Sequence, residues 1–101
     1  MKALRPKRKL SAILSADIQG YSRLMSDNEL ATISSLKNNR EIISSLVQQY
    51  GGRVVDSPGD NLLAEFSSAV DATECAIPIQ QDLKIENENK TFTVKLKLTI
   101  S

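Results

Sequence analysis

The last eleven residues of the chain alternate between apolar and polar side chains without a break. In residues 91–101 the apolar positions are Phe92, Val94, Leu96, Leu98 and Ile100. Successive side chains of a strand point to opposite faces, so this pattern predicts a strand with one buried face and one wet face. Sheets with one wet face are typically antiparallel, with their other face packed on the core. The pattern therefore favours folds in which helices cover one side of a sheet.

Three earlier segments also have the composition of strands. Residues 11–18 (SAILSADI) form a mostly apolar run with one charge near its end. Residues 53–56 and 62–66 flank the segment Ser57-Pro58-Gly59-Asp60-Asn61, whose residue types favour a tight turn. We expect these two short runs to pair as a β-hairpin that carries Asp60 in its turn.

Two long helices are predicted between the strands. Residues 26–29 (SDNE) have the form of a capping box, and apolar residues then recur at helical spacing until Gly51-Gly52. The predicted inward positions are Leu30, Ile33, Leu36, Ile43, Leu46, Val47 and Tyr50, and the outward ones are Lys37, Asn38, Arg40, Glu41 and Gln48. A second capping box at residues 68–71 begins a helix whose apolar stripe is Ala72, Ala76, Ile79 and Leu83.

Proline interrupts the second of these helices. Pro78 removes the hydrogen bond to the carbonyl of Glu74, so we expect a kink or an early end there. Residues 82–90 are polar and charged and are predicted to form a connection. With a short helix after the first strand, the order is β-α-α-β-β-α-β. This order predicts an α+β sandwich of the ferredoxin-like kind, with a mainly antiparallel sheet and helices on one face.

Composition limits the class of protein. The chain has 101 residues, 41% hydrophobic and 25% charged, which fits one ordinary globular domain. No apolar run reaches the roughly 20 residues of a membrane helix, and no signal peptide is recognisable, so we expect a cytoplasmic protein without a membrane span. Cys75 is the single cysteine and is expected to be buried. Histidine is absent, so any catalysis must rest on oxygen ligands.

Positive charge is concentrated at the N-terminus. Five of the thirteen basic residues lie in residues 1–9, which leaves eight basic against twelve acidic residues in the rest. Such an arm could touch nucleic acid or an anionic membrane. It has no aromatic residue and no amphipathic repeat, so we interpret residues 1–9 as a solvated arm and expect no nucleic-acid partner. Residues 10–101 then form the folded domain.

Two aspartates are the candidate functional residues. Asp17 lies where the first strand leaves the core, and Asp60 lies in the hairpin turn. Either aspartate alone could be a turn residue that bonds its own backbone. Together they suit a hard divalent cation, because Mg²⁺ prefers oxygen ligands and often uses only one or two protein carboxylates beside substrate phosphates. The pair is therefore predicted to form a metal site.

Several of these segments resemble a known family. Residues 8–25 (RKLSAILSADIQGYSRLM), residues 51–55 (GGRVV), Gly59-Asp60 and residues 62–66 (LLAEF) are similar to the opening half of a class III adenylate/guanylate cyclase catalytic domain. The similarity covers about residues 8–83. Residues 10–101 are accordingly expected to be a partial cyclase domain, truncated relative to the full one.

The resemblance implies two-metal catalysis that converts ATP or GTP to a 3′,5′-cyclic nucleotide and pyrophosphate. It implies that Asp17, Asp60 and the backbone carbonyl of Ile18 hold two Mg²⁺ or Mn²⁺ ions. By the same resemblance, the turn formed by Gln19, Gly20, Tyr21 and Ser22 offers backbone amides to the phosphates. These residues form the candidate catalytic, metal and substrate site.

The chain also departs from the family. A base-recognising lysine is common three residues before the Gly of Gly-Asp, and here that position is Asp56, which accepts hydrogen bonds instead of donating them. The asparagine and arginine that complete the family's site fall beyond the end of this chain. We therefore expect a homo-oligomer or a complex with a partner cyclase domain, and little or no turnover alone. A non-catalytic dimerisation or regulatory domain, and an interaction module without a nucleotide role, are the alternatives.

Overall fold

The computed structural model describes residues 12–55, 59–90 and 92–100, and in them a four-stranded sheet carries helices on one face. The elements in chain order are β1 (Ala12–Ile18), α1 (Tyr21–Asp27), α2 (Glu29–Gln49), β2 (Arg53–Val55), β3 (Leu62–Phe66), α3 (Ala69–Glu86) and β4 (Val94–Ile100). The predicted β-α-α-β-β-α-β order and α+β class are confirmed. The N-terminal arm, residues 1–9, and Asp56 lie outside the described residues.

The strands lie in the order β2-β3-β1-β4, and every neighbouring pair is antiparallel. Alternate residues of β1, from Ala12 to Ile18, are buried, as are alternate residues of β3 from Leu62 to Phe66. They pack against the buried residues of α2 and α3 to form one core. Its helix members are Ile43, Val47, Ala72, Cys75, Ile79 and Leu83.

The passage from α2 into β2 depends on a glycine. A side chain on Gly52 would bring its Cβ within 2.7 Å of the Phe66 ring atoms, and real Cβ atoms do not approach other heavy atoms so closely. Phe66 is 1% exposed, so its ring cannot swing out of the way into solvent. The absence of a side chain at position 52 lets the chain cross directly over the ring.

The start of α2 differs from the prediction. The predicted capping box at residues 26–29 is wrong, because α1 already occupies residues up to Asp27. Asn28 instead adopts an extended backbone between the two helices, and its Oδ1 accepts a hydrogen bond from the Ala31 amide at 3.1 Å. The prediction for α3 is confirmed on the serine side, since Ser68 Oγ accepts from the Val70 amide at 3.1 Å.

The inward face of α2 was only partly predicted. Leu30 is 82% exposed and Ile33 is 46% exposed, so the prediction that they face the core is wrong. Asn39, which the apolar spacing does not reveal, is 1% exposed. Its side chain exchanges two hydrogen bonds with that of Asn87, at 3.2 and 2.7 Å. This reciprocal amide pair satisfies a buried polar group and ties α2 to the end of α3.

Helix α3 continues through Pro78 to Glu86, so the predicted early end and the polar connection over residues 82–86 are wrong. Residues on both sides of the proline, Cys75, Ile79 and Leu83, are buried in the core. Their packing offsets the backbone hydrogen bond that Pro78 cannot make. The prediction that Cys75 is buried is confirmed, and burial raises the pKa of its thiol to about 11.

The final strand is shorter than predicted. β4 begins at Val94 rather than residue 91, and Phe92 is buried just before it. Lys95, Lys97 and Thr99 are exposed, which confirms the predicted wet face, but Leu98 is 37% exposed, so the prediction that it lies on a buried face is wrong. Across residues 12–55, 59–90 and 92–100, none of the helices combines the length and the apolar character needed to cross a membrane.

Candidate functional site

The sheet brings the two aspartates together. β1 and β3 pair antiparallel up to Ala16 opposite Leu62, so the end of β1 lies beside the residues that precede β3. Asp60 Oδ2 accepts a hydrogen bond from the Ile18 amide at 3.3 Å. Asp17 is the neighbour of Ile18 and its side chain is exposed, on the face of the sheet that the helices leave open. Two carboxyl groups distant in sequence thus share one edge of the sheet.

The two carboxyl groups interact. The pKa of Asp17 is raised above its ordinary value, chiefly because its protonated form can hydrogen-bond to the Asp60 side chain. Slight desolvation and the negative charge of Asp60 raise this pKa further, whereas the Ile18 amide and the positive charge of Lys95 lower it. A cation that binds between two neighbouring carboxylates removes the repulsion between their negative charges.

This repulsion predicts a pH dependence of stability. Because the pKa of Asp17 is raised on folding, the folded chain keeps the Asp17 proton to a higher pH than the unfolded chain does. The proton held by Asp17 stabilises the folded chain fully at acid pH, and this stabilisation is lost as the pH rises through the raised pKa. Asp17→Asn removes the charge pair, so it should match wild type near pH 4 and melt at a higher temperature than wild type near pH 7.

Thermal melts at a series of pH values check this expectation, with Asp82→Asn, at an exposed position of α3, as the control. The difference is expected to be small, since the site is open to solvent that screens the charges. Melting curves of wild type and Asp17→Asn that stay parallel between about pH 4 and pH 7 would show that the two carboxyl groups do not interact.

Three further side chains surround the aspartates, and the sequence did not point to them. Arg40 of α2 donates from Nη2 to the carbonyl oxygens of Gly59 and Asn61, at 2.7 and 3.1 Å. Ser15 Oγ of β1 donates to Asn61 Oδ1 at 3.2 Å. Lys95 of β4 stands opposite Asp17 in the strand register. Helical spacing predicts an outward Arg40, whereas the structure half-buries this residue beside the turn. The position of Lys95 opposite Asp17 follows only from the strand register.

The turn predicted to meet phosphates leads from β1 into α1. Gly20 has a φ of 68°, in the left-handed region that favours glycine, and no side chain caps the start of α1 in the described structure. The Gln19 amide donates to the Thr93 carbonyl at 2.9 Å, so it is already used within the fold. The half-buried Tyr21 and exposed Ser22 follow on the first turn of α1. The turn lies directly after the residue pair Asp17 and Ile18.

The donor atoms suit a hard divalent cation. Asp17 and Asp60 supply carboxylate oxygens, Ile18 adds a backbone carbonyl at the same strand end, and the chain contains no histidine. No group of three or more His, Cys, Asp or Glu side chains able to hold a metal occurs within the described residues. Two carboxylates nevertheless match the Mg²⁺ sites in which substrate phosphates and water complete the coordination. Asp56, the candidate base contact, lies outside the described residues.

Comparison with known proteins shows which proteins the whole chain is similar to. A scan of the sequence against protein-family models finds no match. The curated protein named "Putative adenylate cyclase 3" from Rhizobium meliloti (strain 1021) is 44% identical over 84 residues, which are 82% of this chain and 14% of that protein. The chain thus spans about a seventh of the length of this curated relative.

Solved structures agree with the sequence comparison. An adenylate/guanylate cyclase/hydrolase from Silicibacter pomeroyi is 37% identical with a TM-score of 0.80, covering 94% of this chain and 58% of that one. An adenylyl cyclase from P. aeruginosa, 22% identical, shares the fold with a TM-score of 0.77, over 93% of this chain and 56% of that one. The chain is therefore similar to part of the catalytic domain of class III adenylate/guanylate cyclases.

Proposed function

We propose that this chain provides the metal-binding half of a nucleotide cyclase site, which converts ATP or GTP to a 3′,5′-cyclic nucleotide and pyrophosphate. The observation that carries the proposal is the meeting of Asp17 and Asp60 at the end of β1, where the Ile18 amide donates to Asp60. The 44% identity to a protein named as an adenylate cyclase supports the same chemistry.

Asp17, Asp60 and the Ile18 carbonyl would hold Mg²⁺ or Mn²⁺, as two ions in the family. When bound there, the ions lower the pKa of the ribose 3′-hydroxyl and neutralise charge on the triphosphate. The two carboxylates fix where the triphosphate lies relative to the end of β1. Because the Gln19 amide is bonded to Thr93, the phosphate contacts of the turn are left to the amides of Gly20, Tyr21 and Ser22.

The remaining groups of the site are proposed to come from a second cyclase domain. Transition-state arginines can contribute several powers of ten to phosphoryl-transfer rates. Two arginines of the described structure are engaged elsewhere: Arg53 pairs with Glu65 at 2.7 Å, and Arg40 holds the hairpin turn. We infer that the chain works as a homo-oligomer or with a partner domain and turns over poorly alone. Asp56 is proposed to accept a hydrogen bond from the purine base.

A regulatory role without catalysis is the second candidate. The observation that favours it is the exposure of Leu30 and Ile33 on α2, at 82% and 46%. Exposed apolar residues on one helix suit contact with another protein. In this alternative the chain would bind a cyclase domain and alter its activity without using Asp17.

A mixing assay separates the two candidates. The chain is combined with an intact class III cyclase domain whose own metal-binding aspartates are replaced by alanine, and cyclic nucleotide is measured with Mn²⁺ and ATP or GTP. We expect turnover in the mixture and little from either component alone. Asp17→Ala should reduce that turnover at least about hundredfold, because both metal ions depend on this carboxylate.

The control for the mixing assay is Asp82→Ala, which removes an exposed carboxylate from α3. It should restore turnover as well as wild type does. An Asp17→Ala chain that still changes the activity of a partner domain whose own metal-binding aspartates are in place would establish the regulatory role instead. A wild-type chain that produces cyclic nucleotide alone, as fast as the mixture, would contradict the need for a second domain.

A further inference from the structure

We propose that Arg40 is a positioning residue that holds Asp60 in the orientation required at the site. The positioning rests on contacts within the fold, and its consequence for divalent cations rests on the proposed function. Arg40 lies on α2, and no role follows for it from the motifs in the sequence. Its guanidinium reaches the turn on which Asp60 sits.

The contact geometry is specific to this turn. Arg40 Nη2 donates to the carbonyl oxygens of Gly59 and Asn61, the residues immediately before and after Asp60, at 2.7 and 3.1 Å. A single nitrogen therefore bridges the carbonyl groups of the two residues on either side of Asp60. Hydrogen bonds from a charged donor are roughly twice as strong as neutral ones. Arg40 is half-buried, and water is partly excluded from its bond to Asn61, whereas its bond to Gly59 is exposed.

The turn depends on such side-chain contacts. Gly59, Asp60 and Asn61 precede β3, which begins at Leu62, so the described strand pairings do not include them. Gly59 has a φ of 71°, in the left-handed region. With little regular structure of its own, the turn is fixed by the groups that reach it from neighbouring elements.

Those groups approach from two sides. From β1, Ser15 Oγ donates to Asn61 Oδ1 and the Ile18 amide donates to Asp60 Oδ2, at 3.2 and 3.3 Å. From the helix layer, Arg40 holds the backbone on either side of the carboxylate. The strand contacts aim the Asp60 side chain toward Ile18, and Arg40 keeps its backbone within reach. Loss of Arg40 should leave the strand contacts without support from the helix layer.

The test replaces Arg40 with methionine, which keeps an unbranched apolar side chain and removes every donor. The first measurement is hydrogen exchange at the Ile18 amide by NMR without metal, since this amide bonds to Asp60 Oδ2. The second is the Kd for Mn²⁺ by calorimetry. We expect Arg40→Met to speed Ile18 exchange about tenfold and to raise the Kd about 10-fold to 100-fold, as for residues that orient a metal ligand.

The matched control is Lys37→Met, on an exposed position of the same helix for which the described structure gives no hydrogen bond or ion pair. It should change neither measurement. Arg40→Lys keeps the positive charge without the planar fork, so it should recover part of the Mn²⁺ affinity. In an Asp60→Asn background, Arg40→Met should weaken Mn²⁺ binding no further, because the residue that it positions is already lost.

Each outcome decides the proposal. Ile18 exchange and a Mn²⁺ Kd equal to those of wild type would overturn it. Equal acceleration at Ile18 and at the core residue Val47 would also overturn it, because Arg40 would then support only the global fold. If wild type binds no Mn²⁺, the metal site of the proposed function fails, and Ile18 exchange alone decides whether Arg40 positions Asp60.

Discussion

Phe66→Ala is expected to remove about 3–5 kcal/mol from the free energy of unfolding. Phe66 ends β3, is 1% exposed, and lies against the backbone of Gly52, where the chain crosses from α2 to β2. Truncation leaves a cavity that a glycine on one side cannot fill. Because small domains have about 5–15 kcal/mol of stability in total, this loss is a large fraction of it, and the variant should unfold at a much lower urea concentration than wild type.

Urea unfolding followed by circular dichroism measures the change, with Leu98→Ala as the control. Leu98 is also apolar but lies on the outer strand β4 and is 37% exposed, so its truncation should cost clearly less. If Phe66→Ala lost no more stability than Leu98→Ala, the ring would not be the central packing element between the hairpin and α2.

The strands were predictable because their patterns are local. Alternation in β4 and the apolar run of β1 each identify a strand from neighbouring residues alone. The errors arise where contacts with residues distant in the sequence determine the structure. Leu30 has the spacing of a core residue, yet it is 82% exposed at the start of α2, while Asn39 is buried because Asn87 arrives from α3 to bond it. Pro78 stays helical because core residues hold α3 on both sides of it.

The candidate site shows the same difference between features set by local sequence and features set by distant contacts. Asp17 and Asp60 stood out because each is an acidic residue beside a strand and within a family motif. Their meeting required the register of β1 on β3, which the sequence does not state. Arg40 could not be found from the sequence, because its target is a pair of backbone carbonyls on a distant hairpin. Every residue has a backbone carbonyl, so the sequence does not show which carbonyls accept a hydrogen bond from Arg40.

The second large effect is expected at the aspartates themselves. Asp17→Asn and Asp60→Asn should each weaken Mn²⁺-dependent nucleotide binding at least about hundredfold, because residues that merely orient a ligand already contribute about 10-fold to 100-fold. Asparagine keeps the size of aspartate and loses its charge. Asp17→Asn also removes the repulsion from Asp60, so this variant should remain folded while it loses the metal.

Asp82→Asn, on the exposed surface of α3, serves as the matched control for these two variants. It should bind as wild type does, since its carboxylate lies on a different element from the site. Equal weakening in Asp82→Asn would mean that net charge, and not the pair at the end of β1, governs the affinity.

Calorimetric titration of a nonhydrolysable nucleoside triphosphate, with and without Mn²⁺, tests most directly whether Asp17 and Asp60 form one cation site. Wild type should show saturable binding that requires Mn²⁺, and Asp17→Asn should show none at the same concentrations. Mn²⁺-dependent binding that is equally strong in Asp17→Asn, or absent from wild type, would contradict the account.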